Sequence, residues 1–108
     1  MDITITIGTR SPVTETVTPT EEWEGTFRIA GGASDVSIAL GTLTDPKCIF
    51  ITSDIPGVSI KLGAGGVDDI AAYKFAYIAD TDAGLGVSSV LVSNAGGNEA
   101  VVYMYAAE

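Results

Sequence analysis

Val58-Ser59-Ile60-Lys61-Leu62, closed by Gly63-Ala64-Gly65-Gly66, sets the pattern of this chain. Apolar side chains stand at every second position, polar ones lie between them, and glycines end the run. That period puts Val58, Ile60 and Leu62 on one face of an extended strand and Ser59 and Lys61 on the other, where a helix would need apolar residues three and four apart. The same alternation returns in both directions. Upstream, Cys48-Ile49-Phe50-Ile51 is apolar at every position, the reading of a central strand buried on both faces. Val36, Ile38 and Leu40 alternate with Ser37 and Ala39. Trp23, Phe27 and Ile29 share one face and Glu24, Thr26 and Arg28 the other, before a turn at Gly31-Gly32. Nearer the start, Val13 and Val17 alternate with Thr14, Thr16 and Thr18 until Pro19, and Ile3, Ile5 and Ile7 alternate with Thr4 and Thr6 until Gly8. Downstream, Val87 to Ser93 and Ala100 to Ala106 read as two strands joined by Asn94-Ala95-Gly96-Gly97-Asn98, a hairpin with a loop of several residues.

One segment has two readings. Asp68 to Ile78 fits a helix capped by Asp68 or Asp69, with Ile70, Tyr73, Tyr77 and Ile78 on one face. It also fits a turn followed by a strand that carries Tyr73, Phe75 and Tyr77 on one face. The strands on either side favour the second reading from about Tyr73.

Composition points the same way. Ile, Val and Thr together make 33 of 108 residues against five Leu, and β-branched side chains suit a pleated surface better than a helix. The expected fold is therefore all-β: a single antiparallel β-sandwich or jelly-roll-like domain of about eight or nine strands spanning residues 1–108. Residues 1–24 are set apart as an arm or as edge strands. Glu15, Glu21, Glu22 and Glu24 form the one acidic concentration there, and charge on an edge strand discourages unwanted pairing.

The charge balance narrows the partners. Five Lys and Arg oppose fourteen Asp and Glu, a formal −9. Arg10, Arg28, Lys47, Lys61 and Lys74 are scattered, so neither nucleic acid nor an anionic membrane is the expected partner. No run reaches the roughly 18 apolar residues of a membrane-spanning helix. Met1-Asp2-Ile3-Thr4 has neither the basic nor the apolar region of a secretory signal, and synthesis in the cytosol is expected.

Chemistry finds little to use. Without histidine, imidazole bases and the usual zinc sites are excluded. Lys61 and Lys74 are the remaining bases for the serines and threonines, and Ser-x-x-Lys is absent; Lys61 reads as part of a solvated face. The carboxylate pairs Asp68-Asp69 and Asp80-Thr81-Asp82, which hydrolysis of a glycoside would need, fall in turns, where Asp is favoured for bonding its own backbone. Asp80-x-Asp82-x-Gly84 opens like a calcium loop, but Leu85-Gly86-Val87-Ser88 follows where further oxygen ligands belong. The Gly63–Gly66 stretch lacks the phosphate-binding spacings and is a turn. Cys48 reads as a small buried hydrophobe. Trp23, Phe27, Phe50, Tyr73, Phe75, Tyr77, Tyr103 and Tyr105 supply either core or a stacking platform for sugars. The expectation is a protein that is not an enzyme, with no catalytic, cofactor-binding or metal-ligating residues.

From Phe27 onward the strand phrases resemble a recurring type of small tailed-phage virion protein, the capsid decoration or cement proteins and related accessory particle proteins. The phrases are Ile38-Ala39-Leu40-Gly41-Thr42-Leu43-Thr44, Cys48-Ile49-Phe50-Ile51-Thr52-Ser53-Asp54, Val58 to Gly66, Val90-Leu91-Val92-Ser93-Asn94 and Val101-Val102-Tyr103-Met104-Tyr105. The resemblance covers about three quarters of the chain, is carried by strand-plus-turn phrases, and leaves the stretch up to Glu24 outside it. It implies a β-sandwich that assembles on or between capsid, neck or tail subunits in the virion, homo-oligomeric and without catalytic residues. For a protein of that kind, Asp2 to Ile7 is expected to close its own sheet or to add a strand to a neighbour's. A small carbohydrate- or ligand-binding β-sandwich module is the alternative.

Overall fold

The computed structural model describes residues 2–5, 11, 13–16, 18–62, 70–79 and 84–108. All their regular structure is β. The strands are β1 (Asp2–Ile5), β2 (Val13–Thr16), β3 (Glu22–Ile29), β4 (Val36–Ala39), β5 (Cys48–Ser53), β6 (Val58–Lys61), β7 (Ile70–Ala71), β8 (Ala76–Ala79), β9 (Ser89–Asn94) and β10 (Ala100–Ala107). Eight of them form two four-stranded antiparallel sheets, ordered β3-β10-β5-β8 and β4-β9-β6-β7, while β1 and β2 make a two-stranded sheet of their own. The expected sandwich is the observed one.

Alternation builds its core. Ile49 and Ile51 of β5 and Val102, Met104 and Ala106 of β10 face Val58 and Ile60 of β6 and Val90 and Val92 of β9, all at 0–1% exposure. Leu40 and Leu43, in the loop after β4, fill one end. On β3 the inward side chains are Trp23, Phe27 and Ile29, with Trp23 and Phe27 stacked 5.9 Å apart. Gly25 lies between them in sequence and makes the stacking possible: a Cβ there would stand 2.8 Å from the Phe27 ring. The N-terminal alternation yields β1 and β2, paired from Asp2↔Thr16 to Ile5↔Val13. Ile7, Gly8, Arg10 and Val17 lie outside the described residues.

Two expectations need correction. The segment after Val87 does not form a hairpin with the last strand. β9 pairs with β4 and β6, and β10 with β3 and β5, so the connection crosses from one sheet to the other. Asn94 makes that crossing. Its amide nitrogen donates to the carbonyls of Ile29 (3.1 Å) and Asn98 (2.8 Å), and its amide oxygen accepts from Gly96 N–H (3.0 Å). Its main chain bonds Ala33 and Gly32, each at 2.8 Å. A buried side chain thus satisfies the bend that ladder hydrogen bonds leave open.

The second correction concerns Tyr73 to Tyr77. These residues do not share one strand: β7 ends at Ala71, β8 begins at Ala76, and the two belong to opposite sheets. Ala72 is fully buried at the crossing, Tyr73 makes an isolated bridge to Ser53, and Lys74 takes a φ of 65°. That left-handed conformation turns the chain and excludes a continuous strand. Val36 stands on the same face as Ile38, opposite Val92, but is 37% exposed because β4 is an edge strand.

Candidate docking face

The outer surface of β3-β10-β5-β8 follows from register, because residues directly opposite one another on paired strands share a face. One row across the sheet is Glu24, Tyr105, Phe50 and Tyr77; the next is Thr26, Tyr103 and Thr52; on the other side run Glu22, Ala107, Cys48 and Ala79. Aromatic residues therefore occupy the β10, β5 and β8 columns of the face turned away from the other sandwich sheet. Phe75, just before β8, folds back over it and stacks on Phe50 with ring centroids 6.0 Å apart. Phe75 is 65% exposed, and Tyr73, which bridges to Ser53 at the end of β5, is 46% exposed.

Cys48-Ile49-Phe50-Ile51 is an interior strand of its sheet, as expected, but its second face is closed by side chains. Tyr77 and Tyr105 pack over Cys48 and Ala107, both at 0% exposure. Burial pushes the Cys48 thiol above its ordinary range and keeps it protonated.

The hydroxyls of Tyr103 and Tyr105 are engaged. Tyr103 donates to Glu24 Oε2 at 2.8 Å and Tyr105 to Glu22 Oε1 at 2.9 Å, each reaching diagonally across the β3–β10 pair. Both phenols are held above their ordinary range. For Tyr103 the hydrogen bond to Glu24 leads; for Tyr105 burial leads and Glu22 follows. At neutral pH they are hydrogen-bond donors, not phenolate nucleophiles or bases. The face is thus an apolar, aromatic centre with two carboxylates on its β3 margin.

Of the eight aromatics read from the sequence, Trp23 and Phe27 pack against the core, Phe50, Phe75, Tyr77, Tyr103 and Tyr105 gather on this face, and Tyr73 bridges Ser53 between β7 and β8. Glu22 and Glu24 were legible only as edge charges; nothing local shows that two tyrosines some 80 positions later use them, at separations of 79 and 83 residues.

Lys61, on the interior strand β6 of the opposite sheet, pairs with Asp35 at 3.4 Å and is half-buried instead of solvated. Gly84, which ends the calcium-like stretch Asp80-x-Asp82-x-Gly84, and Gly86 both take positive φ, and Gly86 N–H bonds Asp45 at 2.7 Å. Asp68, Asp69, Asp80, Thr81, Asp82 and Gly63–Gly66 lie outside the described residues. Among the described residues no three His, Cys, Asp or Glu side chains converge to hold a metal ion, and no helix is long and apolar enough to cross a membrane. No protein-family model, curated protein or solved structure matches the chain.

Proposed function

We propose that this chain is a structural component of a bacteriophage particle, an accessory protein of the capsid decoration or cement kind, that docks its aromatic sheet face onto another particle protein. The reading is carried by one observation: an outer sheet surface built from Phe50, Phe75, Tyr77, Tyr103 and Tyr105, with Phe75 65% exposed. An aromatic side chain left in water gains about 1.5–3 kcal/mol when a partner covers it, and aromatic residues dominate the energetics of protein interfaces. The phage setting rests on the resemblance of the strand phrases. Glu22 and Glu24 on the margin, and a chain charge of −9, select a partner patch that is apolar at its centre and flanked by Lys or Arg.

Co-sedimentation tests this reading. Purified chain is mixed with particles from its source, and the bound fraction is compared with that of a Phe75→Ser variant. The wild type is expected to pellet with particles and the variant to stay in the supernatant, with wild-type binding weakening as salt rises. Equal pelleting of both, or none of either, would sink the proposal.

A carbohydrate-binding module is the second reading, favoured by the stacked Phe50–Phe75 pair standing on the same face as Tyr103, Tyr105 and two carboxylates, groups suited to sugar faces and hydroxyls. Retardation in gels containing soluble polysaccharide, abolished by Phe75→Ser and without particle binding, would transfer the assignment to it.

A further inference from the structure

We propose that a second copy of the chain pairs with this one along β3, edge to edge, to give a continuous eight-stranded sheet. β3 is eight residues long and lies at the end of its sheet, with β10 on one side. Its pairing to β10 runs unbroken from Glu22 to Ile29, with no bulge, and the strand contains no proline or lysine. Among the described residues, no backbone group from Trp23 to Arg28 bonds across the open side; Ile29, at its end, accepts from Asn94. Proteins usually blunt such an edge with charge, proline, bulges or a covering loop. Here Glu22 and Glu24 each give one carboxylate oxygen to Tyr105 and Tyr103, so they lean over the sheet without blocking its open side and keep the second oxygen for a charge across the edge.

Face matching restricts how two such edges meet. Inward residues must oppose inward residues, so an antiparallel pair related by a two-fold axis has to be centred on a residue and not between two. Centring on Glu24 sets that carboxylate against its own copy. Centring on Thr26 sets Glu24 against Arg28 at both ends but leaves Gly25 opposite Phe27, Trp23 opposite Ile29 and Glu22 beyond the paired stretch. Centring on Gly25 sets Glu22 against Arg28 of the second copy at both ends, Trp23 against Phe27, and Glu24 against Thr26. Arg28 is available for this role: its contact with Glu99 is an exposed pair at 3.0 Å, with 73% of the Arg28 side chain accessible. Glu22–Arg28 complementarity, formed twice, identifies the occupant of the edge as the chain itself. Pairing also sets two aromatic faces side by side, so a particle would meet a bivalent surface. The pairing does not depend on the particle reading and is measured without particles.

Sedimentation equilibrium of the full chain, from micromolar to millimolar, is expected to show a monomer–dimer equilibrium. Arg28→Glu should weaken it at least about tenfold, since two opposite-charge pairs become like-charge pairs, and adding Glu22→Arg should restore it. The surface position of Arg28 leaves folding intact, which circular dichroism checks. A Glu24→Cys/Thr26→Cys variant should form a covalent dimer on mild oxidation. A chain that is monomeric throughout, or a dimer that Arg28→Glu does not move, overturns the proposal. Either result leaves the docking face to be judged by co-sedimentation alone.

Discussion

Asn94 is fully buried, and both heteroatoms of its side chain are occupied, bonding Ile29, Asn98 and Gly96 across three segments of chain. Such a residue is costly to replace because removing it strands its partners. Asn94→Leu leaves two carbonyls and an N–H short of these bonds and should lower unfolding stability by about 3 kcal/mol in urea titration, at the upper end of what an unsatisfied buried group costs. Asn94→Asp separates charge from shape. The introduced carboxylate would face two carbonyl oxygens, which holds its pKa above the ordinary aspartate range in the folded state. Stability of that variant should therefore recover as pH falls and the carboxyl protonates, the reverse of the usual acid response. A variant whose loss is the same from neutral to acidic pH would show that the amide donors do not matter.

At the scale of elements, the final strand is held by its last side chain. Glu108 Oε1 accepts from Asp45 N–H at 2.7 Å, Thr44 Oγ1 at 3.0 Å and Thr44 N–H at 3.2 Å, while its main chain bonds Thr20 and Glu21. One residue thus ties the root of β3 and the loop after β4 to β10. The backbone donor of Asp45, then the Thr44 hydroxyl, holds the Glu108 carboxyl below its ordinary range. A lowered folded-state pKa means that the clasp is complete above the ordinary glutamate range and is lost as pH falls through the folded value. Thermal melts of Glu108→Gln and wild type should differ at neutral pH and converge in acid; a constant gap would assign the effect to shape alone. The strands themselves were legible, since alternation in Val58 to Leu62 or Ala100 to Ala106 is a local property. Pairing was not. Asn94-Ala95-Gly96-Gly97-Asn98 has the composition of a hairpin loop, and only the long-range bonds of Asn94 distinguish a hairpin from a crossing. Tyr73 to Tyr77 alternates as a strand does, yet the left-handed Lys74 breaks it. The docking face shares this fate, because its aromatics come together through β5–β10 and β5–β8 pairing that no local pattern encodes.

For the molecule as a whole, from β3 onward only β6 and β7 are consecutive strands that are also neighbours in a sheet; the other consecutive pairs lie in opposite sheets. Neither sandwich sheet can be completed from one contiguous stretch, so loop closure has to precede most of the favourable contacts. Refolding from urea should accordingly take milliseconds to seconds at 25 °C, the range of sandwich topologies, and stopped-flow fluorescence of Trp23 is the measurement; microsecond refolding would contradict this account. The roof that Tyr77 and Tyr105 make over Cys48 has a separate consequence. With one sulfhydryl in the sequence, the protein carries its own latch indicator: a thiol-reactive dye gains entry only when those two rings lift, so the pace of labelling clocks how often that patch breathes.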